Sequence, residues 1–210
     1  MVNRSKSSQR WLQEHFSDPF VKKAQSEGLR SRAAYKLEEL MERDRLIKPG
    51  MTVVDLGAAP GGWSQMAKRS LNGKGHVFAL DILPIDDIPG VVFLQGDFRE
   101  ESVLKEFERM LNGATVDLVL SDMAPNMSGV SQVDQIRSLE LAELARDFAD
   151  QHLRPGGTFL VKLFQGIGFD QYLKDLRSRY EKVTMRKPKA SRARSPEVYA
   201  LATGFGLRKK

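Results

Sequence analysis

The chain contains no cysteine. That absence removes disulfides, thiolate metal sites, iron–sulfur clusters and every mechanism built on a sulfur nucleophile. It also lacks any run approaching the ~18 consecutive apolar residues of a membrane span. Met1 to Arg10 is polar with no apolar stretch behind it, so the cytoplasm is the default address. Prolines number 9 in 210 residues and no internal repeat is visible, which excludes fibrous and low-complexity classes. What remains is one soluble globular unit of 23.6 kDa.

Charge is present in excess and unevenly placed. The net value is +6. Residues 1–50 carry 11 Lys and Arg against 7 Asp and Glu, residues 51–180 carry 13 against 18, and residues 181–210 carry 9 against 2. Two basic ends around an acidic centre suggest a polyanion met by the termini, although basic ends that only maintain solubility are the plain alternative.

The central stretch alternates short aliphatic runs with segments of helical period, the pattern of βαβ units and a mostly parallel sheet. Strands are expected over residues 51–54, 76–80, 91–94, 116–120 and 158–161, and further strands near 182–186 and 197–203. Helices are expected near 62–70, 99–111, 132–152 and 168–179, with Pro155-Gly156-Gly157 stopping the chain before a strand. Residues 1–50 read as a basic helical extension ending at Lys48-Pro49-Gly50, and residues 51–210 as the α/β domain. Asp55, Asp81, Asp97, Asp122 and Lys162 each stand at or near a strand's carboxyl end, where open parallel sheets bind ligands. Any one aspartate could simply cap the next helix; five charged residues at five ends indicate one cleft.

Val53 through Gly62 is a strand, a glycine-rich turn and a helix start. A triphosphate loop needs Lys followed by Ser or Thr after the last glycine, and Trp63-Ser64 stands there instead. The dinucleotide spacing G-x-G-x-x-G is also missing: the sequence is Gly57-Ala-Ala-Pro-Gly-Gly62, in which Pro60 offers no N–H to an anion. A ligand with a cationic or zwitterionic head and no phosphate fits better, and S-adenosylmethionine is one. Asp55 could order the turn or meet an ammonium, Asp81 could hold ribose hydroxyls, and Asp97 with Phe98 could meet an adenine. An ordinary strand-to-helix turn remains the alternative for Gly57, Gly61 and Gly62.

Ser121-Asp-Met-Ala-Pro-Asn126 follows the fourth strand. No aromatic stands there to stack on a base whose nitrogen is methylated, and no cysteine exists to add to a pyrimidine ring. Oxygen acceptors remain. Direct displacement at a sulfonium methyl by a ribose hydroxyl asks the protein to align substrates, exclude water and handle one proton, for which Lys162 is suitably placed.

The blocks Trp11–Asp18, Gly28–Ala33 with Tyr35-Lys-Leu37, Met51–Gln65, Leu94–Phe98, Ser121–Gly129, Val161-Lys162 with Phe164–Gly166, Arg186–Pro188, Ser191–Ser195 and Glu197–Tyr199 resemble the FtsJ/RrmJ (RlmE) family of ribosomal RNA large-subunit 2′-O-ribose methyltransferases. The resemblance covers nearly the whole chain. It implies a Rossmann-like methyltransferase fold with a mostly parallel seven-stranded sheet, helices on both faces and an antiparallel strand near the C-terminus. It also implies a catalytic tetrad at Lys36, Asp122, Lys162 and Glu197. S-adenosylmethionine contacts would fall on Gly61, Trp63, Asp81, Asp97 and Asp122, and the target would be a uridine of the peptidyl-transferase A-loop in the 50S subunit. Lys162 would take or steer the hydroxyl proton, Asp122 and Glu197 would orient it, and Lys36 would position the ribose or its phosphate. Arg30, Arg32, Lys187, Lys189, Arg192 and Arg194 flank tetrad members and are the expected RNA contacts, with Arg4, Lys6 and Arg10 adding more. No metal and no membrane are expected, and the protein is taken as a monomer. A nicotinamide oxidoreductase is disfavoured by the missing fingerprint. A transfer-RNA or cap 2′-O-methyltransferase and a non-catalytic ribosome-assembly factor are the remaining alternatives.

Overall fold

The computed structural model describes residues 18–192 and 195–207. Arg194, the block Trp11–Ser17 and the basic residues Arg4, Lys6 and Arg10 lie outside them. Among the described residues thirteen elements follow in the order α1 (Pro19–Ser26), α2 (Ala33–Asp44), β1 (Thr52–Leu56), α3 (Gly62–Leu71), β2 (His76–Asp81), β3 (Val91–Gln95), α4 (Glu101–Leu111), β4 (Val116–Ser121), α5 (Ser131–His152), β5 (Leu153–Phe164), α6 (Phe169–Arg179), β6 (Tyr180–Arg186) and β7 (Glu197–Phe205). Asp18 caps α1 by accepting from the Phe20 N–H at 2.9 Å, with Pro19 at the first helical position. Asp134 inside the first turn of α5 accepts from the N–H groups of Ser128 and Gly129 and the Ser128 hydroxyl, which folds the loop after β4 back onto the helix.

The seven strands form one sheet in the order β3-β2-β1-β4-β5-β7-β6, parallel except for β7. The order reverses between β1 and β4, so the crevice lies beyond the carboxyl ends of those strands. Because β7 is antiparallel, its first residue, Glu197, pairs with Phe164 at the carboxyl end of β5. An acidic residue near the C-terminus thereby reaches the edge where the parallel strands finish.

Side-chain alternation divides the core into two layers. Val54, Leu56, Phe78, Leu80, Val119, Phe159 and Val161 pack with α4, α5 and α6 on one face. Val53, Val77, Leu118, Leu120, Leu160 and Leu201 pack with α2 and α3 on the other. Lys162, two residues beyond Leu160, and Tyr199, two before Leu201, share the α2 and α3 face. One expectation changes here. Pro155-Gly156-Gly157 does not precede the strand but lies inside β5, which begins at Leu153 directly after α5. The residues are absorbed in a register shift: Val116 pairs with Leu153, whereas Leu118 already pairs with Thr158. A bulge tolerates proline because the extra residues leave the ladder.

Candidate active site

Four of the expected residues meet at the sheet edge. The Lys162 ammonium donates to the Asp122 carbonyl oxygen at 2.6 Å and lies 3.1 Å from Asp122 Oδ1. The Tyr199 hydroxyl donates to that same Oδ1 at 2.8 Å and accepts from Lys36 Nζ at 3.2 Å. Lys36 Nζ also donates to Glu197 Oε1 at 2.6 Å, an oxygen that further accepts from Ser191 Oγ at 2.9 Å. An unbroken polar chain therefore runs from Glu197 through Lys36, Tyr199 and Asp122 to Lys162. Tyr199 and Ser191 were not among the expected site residues. The signal for Tyr199 was present: residues two apart on a strand share a face, and Tyr199 stands two beyond Glu197 and directly across from Lys162.

The electrostatics follow from burial and pairing. Burial pushes the Asp122 carboxyl up, but the ammonium groups of Lys162 and Lys36 and the hydrogen bonds from Tyr199 and Lys162 override it and hold the group below its ordinary range. Burial, followed by the charges of Asp122 and Glu197, lifts the Tyr199 phenol well above its usual value, so it stays protonated and acts as a donor. A buried ion pair of this kind demands that each charge keep its partners.

The neighbouring cleft is walled by the turns after β1 and β2. Asp55 is fully buried; its Oδ2 accepts from Ser64 Oγ at 2.6 Å, and its Oδ1 has no partner. Asp81 bridges the two turns, Oδ2 accepting from the Ala59 N–H and Oδ1 from the Leu83 N–H, each at 2.8 Å. The Gly57 and Ala58 N–H groups donate to the Leu80 carbonyl and Gly61 N–H to the Ala58 carbonyl, while Pro60, after a cis peptide bond, has none. The N–H groups from Gly57 to Gly61 are thus all engaged within the protein, which is unlike a phosphate-cradling loop. Gly57 has φ +80°, and a Cβ there would stand 2.6 Å from Met123 Cγ and 2.9 Å from Met123 Cα, so this turn admits no side chain.

Burial raises the Asp55 carboxyl from 3.8 to about 7, only partly opposed by Ser64. A raised folded-state value means that the group's contribution to stability is complete below pH ~4 and is lost as the pH climbs towards 7. The gap of about three units, at ~1.4 kcal/mol each, sets a ceiling of about 4 kcal/mol. Asp55→Asn should therefore flatten the pH dependence of urea unfolding between pH 4 and 8 and stabilise the protein at pH 8. Parallel curves for the two proteins would remove Asp55 as a destabilising buried acid.

Other expected residues are engaged differently. Trp63 is buried; its Nε1–H donates to the Ala33 carbonyl at 2.8 Å and its ring lies 5.7 Å from that of Tyr199, so it seats α2 beside the polar chain. Phe98 packs in the core, with its ring edge-on to Phe148. Both carboxylate oxygens of Asp97 accept from the Arg99 guanidinium. Arg30 and Arg32 are engaged by other parts of the protein. Arg32 pairs with the Asp18 carboxylate and donates to the Ala190 carbonyl, and Arg30 donates to the carbonyls of Asp86 and Asp87. Lys187 is exposed and donates to the Ser195 carbonyl, Lys189 is exposed, and Arg192 is half-buried. Among the described residues no cluster of three or more His, Asp or Glu could hold a metal, and no helix is long and apolar enough to cross a membrane.

Comparison with known proteins gives a consistent picture. A family model described as FtsJ-like methyltransferase matches residues 29–205. The chain is 70% identical over 204 residues to ribosomal RNA large subunit methyltransferase E of Stenotrophomonas maltophilia (strain K279a), covering 97% of each chain. It is 69% identical to the protein of that name from Xanthomonas euvesicatoria pv. vesicatoria (strain 85-10), with the same coverage. A solved structure described as a ribosomal RNA methyltransferase from Plasmodium falciparum aligns with a TM-score of 0.76 at 30% identity, over 86% of this chain and 100% of that one. One described as an rRNA-methylase from Clostridium thermocellum shares the fold, with a TM-score of 0.54 at 18% identity over 80% and 96% of the two chains.

Proposed function

The chain belongs to the FtsJ-like methyltransferase family, and from that premise we propose that it transfers a methyl group from S-adenosylmethionine to a ribose 2′-hydroxyl of large-subunit ribosomal RNA. The observation that carries the reading is the polar chain joining Glu197, Lys36, Tyr199, Asp122 and Lys162 beside a cleft that suits a cationic, phosphate-free ligand. The donor set supports that fit. Asp55 and Asp81 supply carboxylates at adjacent strand ends, Asp55 Oδ1 lacks a partner, and the N–H groups from Gly57 to Gly61 are turned onto the protein itself. Gly57, Gly61 and Trp63 border the same turn, and Asp97 stands at the next strand end.

S-adenosylmethionine, when bound, supplies an electrophilic methyl on a sulfonium. The protein then has to hold the ribose in line and handle one proton. Lys162 carries that task. As a neutral amine it has two N–H bonds, which match the two Asp122 acceptors and leave a lone pair for the hydroxyl proton; as an ammonium its third N–H steers the hydroxyl oxygen. Asp122 fixes its orientation from two directions. Glu197 holds Lys36, which retains a donor for the ribose or an adjacent phosphate. Lys187, Lys189 and Arg192, with Arg194, furnish phosphate contacts that position the RNA without reading its sequence. The proposal extends to a uridine of the A-loop as target, to the cytoplasm as location, and to a division into a basic helical stretch at 1–50 and a methyltransferase domain at 51–210.

The decisive experiment is incubation of the protein with methyl-labelled S-adenosylmethionine and unmodified 50S subunits, followed by mapping of the label. Label on one ribose 2′-oxygen of the large-subunit RNA is expected. Label on a base, or on transfer RNA offered in competition while the subunits stay unlabelled, would replace this reading.

A further inference from the structure

We infer that Arg30 is a positioning residue for the methyl donor, holding the wall of the donor cleft, and not a contact to RNA. This rests on the proposed use of S-adenosylmethionine. The Arg30 N–H donates to Gln65 Oε1 at 3.3 Å and Gln65 Nε2 returns a hydrogen bond to the Gly28 carbonyl at 3.0 Å, so the backbone of this short connection is bolted to α3. From that fixed base the guanidinium reaches the loop after β2. Its Nη1 and Nη2 donate to the successive carbonyls of Asp86 and Asp87, each at 2.7 Å, and Nη1 also lies 3.5 Å from the Pro60 carbonyl in the turn after β1. Two donors of one planar group placed on two successive carbonyls fix the guanidinium's orientation as well as its position.

The loop so held is the one that continues from Asp81. Residues 82–90 have no helix or strand of their own, and Ile82 and Leu83 expose more than half of their surface beside the cleft. At its start the loop is tied to the turn after β1 by Asp81, through the Ala59 and Leu83 N–H groups. Arg30 ties its far end to the same turn. The two ties bracket the space between the carboxyl ends of β1 and β2. Packing agrees: a Cβ on Gly61 would stand 2.9 Å from Ile88 Cδ1 and 3.0 Å from Arg30 Cδ, so turn, loop and arginine are already in close contact. Three of the five guanidinium N–H groups are turned onto protein carbonyls, so the side chain is held by the protein despite its place in a basic segment.

The two roles make opposite forecasts for Arg30→Ala in the full-length protein. As a wall strut, its loss should raise both the dissociation constant for S-adenosylmethionine, measured by calorimetry without RNA, and the KM for that donor by about tenfold, the scale of one lost charge-assisted hydrogen bond. The kcat at saturating donor, the affinity for RNA and the salt dependence of RNA binding should stay within about twofold of the parent. Arg30→Lys keeps the charge but has no fork, so it should recover only part of the donor affinity. Unchanged donor affinity with weaker RNA binding, and a salt slope lower by ~1, would overturn the inference and restore Arg30 as a phosphate contact. A loss of kcat with donor affinity intact would overturn it as well. Failure of the parent protein to bind S-adenosylmethionine would instead strike the proposed function, which separates the two failures.

Discussion

Replacement of Lys162 by alanine should reduce methyl transfer by about a thousandfold or more, towards the upper end of what one positioned acid or base contributes. The side chain is 7% exposed and its nitrogen is held by both the carbonyl and a carboxylate oxygen of Asp122, so its position is set before any RNA arrives. The fold should survive, because Lys162 extends from β5 at the edge of the crevice, with its stem alone adding to the packed layer. Lys162→Met guards against a packing artefact by retaining that stem without the nitrogen. Both variants should bind S-adenosylmethionine with an affinity close to that of the parent and yet label no RNA. A kcat within tenfold of the parent in the methionine variant would take Lys162 out of the chemistry.

Asp122→Ala should act on both activity and stability. It removes the carboxylate that accepts from Tyr199 and faces Lys162, leaving the nearly buried Lys162 ammonium with one acceptor fewer and Lys36 with one nearby negative charge fewer. Breaking one partner of a fully buried pair costs roughly 3–5 kcal/mol; the residual exposure of Asp122, 16%, lowers the expectation to about 2–3 kcal/mol. At this chain length that corresponds to a melting temperature lower by roughly 5–10 °C. The pH dependence identifies the cause. The folded-state value of Asp122 is depressed, so its stabilising contribution is present above the ordinary carboxylate range and disappears as the pH falls through the folded value. The stability gap between parent and variant should therefore be full at pH 7 and shrink below pH ~4. A gap that persists unchanged at pH 3 would point to lost packing instead of lost charge. Turnover should fall about a hundredfold or more, since Lys162 keeps only the carbonyl contact.

Legibility in the sequence followed the range of the interaction. The β-branched runs of β1, β2 and β4 marked buried parallel strands because burial on both faces needs continuous apolar residues, and that is a local property. Acidic residues just inside or past those runs marked the crevice for the same reason. Pro155-Gly156-Gly157 misled because a bulge is a property of two strands: only pairing with β4 shows that the residues can be looped out within β5. Where the Phe98 ring packs was not legible, because an aromatic after a strand can turn either way, and Phe148 from α5 meets it.

The basic ends illustrate the same limit. Clustered arginines before Lys36 read naturally as a phosphate surface, and nothing nearby in sequence accounts for their charge. The acceptors for Arg30 are 56 and 57 residues away and that of Arg32 on the C-terminal segment is 158 away. Long flexible side chains take partners from whatever the fold brings near, so their roles are the last to be readable.

The amino-acid order alone determined the sheet class, the side of the sheet on which chemistry is possible, and the exclusion of cysteine and phosphate-loop mechanisms, because alternation, turn chemistry and composition act over a few residues. Which charges touch was decided by tertiary structure. Glu197 meets Lys36 across 161 residues only because β7 runs against its neighbours and α2 docks through Trp63 on the same face; hydrogen bonds act over about 3 Å, and only the packed fold brings groups so distant in the chain to that separation.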